Sequence, residues 1–266
     1  MLSSGFALIF GLMRIANLTH GSLFMLGAYV AATMIRGGHG LILAACASMF
    51  SMTVVGGLIE RLILRRLTNN AQGQVLATLG LSFVVADLCL MIWGGDPLPI
   101  QTPPMFIAPM EFFGLRFPTY RLFVLGFSIV VGILLYLLME RTRLGAMIRA
   151  GVDDRGMLSA SGVNVQRIFA MTFALGAGLA GLAGVVGGTA LSISPGEDTR
   201  YLLASLVVVI VGGMGSVPGA AIGALLIGLA EQFGQAYAPT YSVVFTFVIM
   251  ILALAFRPRG VLGKAS

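Results

Sequence analysis

Long apolar stretches, interrupted by single charges or by glycine and proline, set the pattern of this chain. A short run at 2–13 stops at Arg14. Further runs follow at 22–35, 41–59, 75–93, 122–139, 168–191, 201–211, 220–235 and 242–256. None alternates with the two-residue period of a barrel strand, and an open sheet edge has no place in lipid, so each run predicts a helix. Several are too short to cross a bilayer: the run at 22–35 extends only about 21 Å at ~1.5 Å per residue, against a hydrocarbon core of ~30 Å. Short, glycine-interrupted segments predict helices broken inside the membrane, where irregular backbone is tolerated only against protein or a watery cavity. The fold class that follows is all-α and polytopic, a bundle of about eight transmembrane helices, some short or broken, in one domain over 1–266.

Composition strengthens this picture. Of 266 residues, 58% are apolar and 10% charged, with 36 glycines besides. A soluble domain has roughly 25% charged residues. Water could not cover so much apolar surface, which excludes a soluble enzyme, a disordered chain and a nucleic-acid binder. The net charge of +6 then reports orientation, because basic residues gather in cytoplasmic loops. Arg14, the group Arg61, Arg65 and Arg66, the group Arg141, Arg143, Arg149, Arg155 and Arg167, and the group Arg257, Arg259 and Lys264 lie on sides of compatible parity. They predict a cytoplasmic C-terminus, leaving Arg36, Arg116, Arg121 and Arg200 opposite. The proline-rich segment 94–120 then faces outward. No basic region precedes the first apolar run, so no cleavable secretory signal is expected.

Chemistry-bearing residues are few. Cys46 and Cys89 sit in apolar runs without a second ligand nearby and read as buried fillers, and two histidines alone build no metal centre. Asp87 and Glu231 fall within apolar runs, where a charge is costly. They could form a proton or cation relay, which would make the chain an ion-coupled transporter or a channel. The blander expectation pairs Asp87 with a buried partner and places Glu231 near the outer mouth. Asn17, Thr19, His20 and Gly21 follow one another between two short apolar runs. Each polar group left unsatisfied in lipid would cost several kcal/mol. They therefore occupy either a short cytoplasmic turn or an unwound stretch lining a cavity. In the second case Asn17 and His20 offer neutral donors and acceptors suited to amino or carboxylate groups. No G-x4-G-K-[ST] string cradles a nucleotide, since Pro258 stands where the first glycine before Gly263-Lys264 should be. No nucleophile–base constellation is visible either, and no catalysis by this chain is expected.

The segment 140–167 is the largest loop on the basic side. It reads either as a basic loop obeying orientation rules or as a short surface helix that docks a partner. The small-residue pattern adds a third feature: Gly181, Gly184 and Gly188, then Gly215, Gly219 and Gly223, recur at or near four-residue spacing. At this spacing helices approach closely in lipid, within one subunit or between subunits.

Three strings resemble the permeases of branched-chain amino acid ABC importers, of the LivH type. The first is Arg149-Ala150 with Asp153-Asp154-Arg155-Gly156, followed by Ser161-Gly162-Val163-Asn164 and a helix containing Ala180-Gly181-Leu182-Ala183-Gly184. The second is Asn17-Leu18-Thr19-His20-Gly21 leading to Gly27-Ala28-Tyr29, with Thr19 where alanine is common. The third is GGMGSVPGA at 212–220, which also suggests a helix N-terminus near the site. The resemblance covers nearly the whole chain. It implies a coupling helix at 149–164 seated in a groove of an ATPase subunit, and a substrate pathway past Asn17, Thr19, His20, Gly21, Gly27 and Tyr29. It also implies a second, LivM-like permease chain, two cytoplasmic ATPase subunits that bind the ATP, an extracytoplasmic solute-binding protein, and residence in the bacterial inner membrane. Relatives carry a complete first span, so here the chain is either shortened before Arg14 or its first helix is a stub.

Overall fold

The computed structural model describes residues 1–13, 17–68, 70–100, 102–112, 114–257 and 260–263. Arg14, Pro258, Arg259 and Lys264, used above for orientation and for the missing nucleotide loop, lie outside the described residues, as does the side chain of Arg155. Among the described residues eleven α-helices occur: α1 (Leu2–Met13), α2 (Thr19–Arg36), α3 (Leu41–Leu62), α4 (Ala71–Trp93), α5 (Thr119–Arg141), α6 (Arg143–Asp153), α7 (Arg155–Ala160), α8 (Val165–Leu191), α9 (Glu197–Gly212), α10 (Val217–Tyr237) and α11 (Ser242–Phe256). Five are long and apolar enough to cross a membrane: α3 with its 3-10 extension to Leu67, α4, α5, α8 and α10. The only described strands form a small hairpin, β1 (Met110–Phe112) with β2 (Leu115–Phe117), in the proline-rich connection. The protein is an all-α polytopic membrane protein.

The run expected at 22–35 begins earlier. Thr19, His20 and Gly21 form the first turn of α2 rather than an unwound stretch or a surface turn. The amide of Thr19 donates to Asn17 Oδ1 (3.1 Å), so Asn17 satisfies one of the orphan donors at the helix start. Polar residues that would be stranded in lipid are here sealed inside protein, with Asn17, Thr19, His20 and Ser22 all buried.

The long glycine-rich helix α8 forms the centre. Most of its apolar window is buried (78%), whereas the windows of α4 and α5 are 17% and 11% buried. Lipid tails offer no hydrophobic drive between helices, so α8 holds its neighbours by close backbone approach and interhelical hydrogen bonds. A Cβ on Gly27 of α2 would lie 2.5 Å from Gly181 Cα. One on Gly184 would run into the carbonyl oxygen of Phe24, and one on Gly188 would meet the Ile193 side chain at 2.6 Å. Between α2 and α8 stands Ser48 of α3, whose hydroxyl shares its proton with the carbonyls of Gly27 (2.8 Å) and Gly181 (3.0 Å). One buried side chain thus bridges three helices.

The second small-residue group packs differently. Gly219 of α10 faces the backbone of Gly212 at the end of α9, and Gly223 faces the Val208 carbonyl and Gly212. Gly215 lies outside any helix, in the turn between α9 and α10, with φ +79, and its Cβ position is 3.1 Å from Gly11 Cα of α1. The C-terminal segment closes over this turn, with Val261 N donating to Val211 O (2.9 Å) and Leu262 N to Gly212 O (3.0 Å). At the other end of α8 a bridge joins Leu98 to Ile193 (2.7 and 3.2 Å). The proline-rich connection and the end of α8 therefore share one end of the bundle.

These contacts predict a graded response. Gly184→Leu forces a side chain into backbone, and folded protein recovered in detergent should fall at least tenfold. Ser48→Ala removes only the shared hydrogen bond, worth about 0.6–2 kcal/mol, and should lower the thermal midpoint by a few degrees with recovery unchanged.

Candidate functional site

Two helices begin inside the bundle, and their first turns meet. At ~1.5 Å per residue α2 is about 27 Å long and α9 about 24 Å, both short of a ~30 Å core. Ser22 of α2 donates to Asp198 Oδ2 of α9 at 2.9 Å, and both residues are buried. Gly21 is needed at this crossing, because a Cβ there would strike the Asp198 carbonyl oxygen. A carboxylate in the first turn of its own helix and beside the first turns of another meets the positive ends of two helix dipoles.

Around this crossing the polar groups are only partly satisfied. Thr19 Oγ1 donates to the Thr78 carbonyl of α4 (3.0 Å), and the Leu18 amide donates to Thr78 Oγ1 (3.3 Å). His20 Nε2 lies 3.1 Å from the carbonyl of Leu2, and its ring lies 5.4 Å from that of Phe6, so α1 covers it. Asn17 Nδ2, His20 Nδ1 and the Tyr29 hydroxyl are buried without a hydrogen-bond partner among the described residues. Such atoms are rare in folded proteins and mark places where water or a ligand completes the set. Tyr29 stacks on Trp93 at 5.0 Å and stands more than two helical turns from His20, so the expected pathway residues do not form one cluster. Asn17, Thr19, His20 and Gly21 gather at the crossing; Gly27 serves the contact with α8; Tyr29 sits farther along α2.

Several expectations need correction. Asp87 does not find a buried partner: it is exposed on α4 and has no ion pair among the described residues, because α4 turns Thr78, Ser82 and Cys89 inward instead. Glu231, by contrast, is half-buried on α10 and needs no such correction. Cys46 is exposed on the outer face of α3, and only Cys89 is a buried filler. The helix start suggested by GGMGSVPGA belongs to α10, where Ser216 Oγ caps Gly219 N (3.0 Å). It lies at the far end of α9 from Asp198. The N-terminus at the site is that of α9. Asp198 itself was missed, since Gly196-Glu197-Asp198-Thr199-Arg200 reads as a loop ahead of the apolar run. Only the packing of Gly21 against it reveals the burial.

The segment expected to dock a partner folds as an elbow. Thr142 caps α6 through Gly145 N (3.1 Å), and Asp154 caps α7 through Gly156 N (2.7 Å) and Met157 N (3.0 Å). Gly162 ends the elbow with φ +80, and Asn164 starts α8 by accepting from Arg167 N (3.1 Å). On its inner side, Gly145 abuts the carbonyls of Leu138 and Met139, and Gly151 touches Leu12 of α1 and Leu158. Arg149 bonds to the Met139 carbonyl and lies 3.4 Å from Glu140. On the outer side Ala150, Asp153, Asp154, Gly156, Ser161, Gly162 and Asn164 are exposed, Val163 is half-buried, and Met157 is 72% exposed. An apolar side chain held out on a capped one-and-a-half-turn helix, which sequence reasoning did not single out, makes the tip of the elbow.

A polytopic bundle with buried polar groups at the meeting of two short helices has the features of a membrane transport permease. Residues 1–254 match the family model described as the branched-chain amino acid transport system / permease component. The chain belongs to that family, and is the permease component of an ABC importer; the ion-coupled reading of Asp87 and Glu231 falls away. It is 30% identical to the high-affinity branched-chain amino acid transport system permease protein BraD of Pseudomonas aeruginosa over 99% of this chain and 91% of that protein. It is 28% identical to the permease protein LivH of Escherichia coli K12 over the same shares. It is also 26% identical to a probable LivH permease of Methanocaldococcus jannaschii over 99% of this chain and 88% of that protein. No solved structure matches the chain.

The shared carboxylate leads to a test. Asp198→Leu leaves the Ser22 hydroxyl without its acceptor and removes the carboxyl group that the two helix starts share. Uptake by the assembled transporter should fall at least tenfold. Asp198→Asn keeps an acceptor for Ser22 and should retain the fold, with a thermal midpoint within a few degrees of the parent protein.

Proposed function

We propose that this chain carries branched-chain amino acids, or amino acids of similar size, across the bacterial inner membrane as one of two permease chains. Two cytoplasmic ATPase subunits bind and hydrolyse the ATP, and an extracytoplasmic binding protein delivers the solute. The chain itself performs no catalysis and needs no cofactor. The names of the curated relatives support the substrate class. The observation that carries the mechanism is the elbow of α6 and α7, which holds Met157 out at one end of two long helices while its inner glycines rest on α5 and α1.

In this reading the elbow is the handle. Closure of the ATPase groove pushes α7, and Gly151 passes the motion to Leu12 of α1. The start of α1 in turn touches His20 through Leu2. A shift of α1 therefore moves the first turn of α2 relative to Asp198 of α9, where Asn17, His20 and Asp198 offer hydrogen-bonding groups to a zwitterion. In this reading the elbow and the C-terminus lie in the cytoplasm, on the side of the ATPase subunits.

Uptake of radiolabelled leucine into proteoliposomes holding the full assembly should continue with an uncoupler present. It should stop when ATP or the ATPase subunits are withdrawn; uptake that follows an ion gradient instead would overturn the proposal. Met157→Asp should uncouple ATP hydrolysis from uptake while insertion stays normal. His20→Leu should lower uptake several-fold without changing assembly, and unchanged uptake would remove His20 from the pathway.

A further inference from the structure

Among the described residues, one face of α4 is left without a neighbour. Gln74, Thr78, Ser82 and Cys89 turn toward the bundle, whereas Leu76 (67% exposed), Gly80, Phe83 (63%), Asp87 and Met91 (81%) form the outer stripe. Asp87 lies six residues before Trp93, about 9 Å from the helix end, and about 24 Å from Ala71 at ~1.5 Å per residue. A core of ~30 Å therefore contains its carboxylate, and aspartate has no long stem with which to reach the interface, as lysine or arginine has. Gly80, two turns away on the same stripe, has open space where a Cβ would be, so the stripe carries both a charge and a dip. Charged side chains at this depth face protein or water rather than lipid, and pair.

We propose that the Leu76–Met91 stripe of α4 is the contact with the second permease chain, and that a transmembrane helix of that chain sets a cationic side chain against Asp87 while its backbone rests near Gly80. This rests on the reading above that a second permease chain accompanies this one. Charge complementarity selects that occupant over lipid. It also selects a different chain over a second copy. A two-fold contact of α4 with α4 would set Asp87 against the same stripe, which carries Leu76, Gly80, Phe83 and Met91 but no cation. The α5 face is barer still, with 11% of its apolar window buried against 17% for α4, but it carries Leu125, Ile129 and Ile133 at exposed positions and no charge between its ends. Lipid can cover it.

The test uses the full assembly of both permease chains and the ATPase subunits. A benzophenone side chain replacing Phe83, and another replacing Ile129 on α5 as the control, are photolysed in proteoliposomes. Adducts with the second permease chain should form from position 83 at least fivefold more than from position 129. In parallel, Asp87→Lys should reduce recovery of the second permease chain with tagged protein at least tenfold, Asp87→Asn less so. An acidic substitution of the facing cation should restore recovery with Asp87→Lys. Adducts confined to lipid, adducts with a second copy of this chain, equal yields from both positions, or a stable Asp87→Lys assembly would each overturn the assignment. The ATP-driven uptake of the unmodified assembly is read in the same vesicles, so a failure of this contact is told apart from a failure of the importer reading.

Discussion

Close approach of backbones around α8 governs the rest of the molecule. In lipid, apolar side chains gain nothing by leaving the solvent, so contact must come from dispersion and from hydrogen bonds between helices. Both need short distances. Gly27 against Gly181, Gly184 against Phe24, and Ser48 between the carbonyls of Gly27 and Gly181 supply them. With α2 held this near to α8, its first turn stays inside the protein, and polar side chains that lipid would reject become tolerable.

That placement makes the crossing with α9 possible. Asp198 is buried with a hydroxyl donor and two helix starts rather than with an arginine. Among the described residues no ion pair locks this crossing. At the other end of the bundle the elbow of α6 and α7 rests on the end of α1, whose beginning covers His20. Helix α1 thus links the two ends, with Leu12 against Gly151 and Leu2 against His20.

Legibility in the sequence differed by feature. The long spans were plain, because a run such as 41–59 or 122–139 has no reason to exist except lipid. The elbow was visible as charge between two runs, although its division into two capped helices depended on Thr142 and Asp154 accepting main-chain protons. The start of α2 was half legible. Asn17, Thr19 and His20 announced that lipid could not surround them, but a helical first turn and an unwound stretch expose the same residue types. Asp198 was hidden by its neighbours, since Pro195, Gly196, Glu197 and Arg200 around it have the composition of an exposed loop.

What the sequence by itself determined is the medium and the position of the long apolar helices, because transfer of a whole segment into lipid depends on composition summed along the segment. What only the tertiary structure decided is which face of each segment meets protein. Lipid and protein interior are both apolar, so a leucine on α4 and a leucine on α8 look alike in one dimension, and so do two aspartates. Asp87 faces outward and Asp198 inward because glycines on α2 and α8 draw those helices together and leave α4 at the rim.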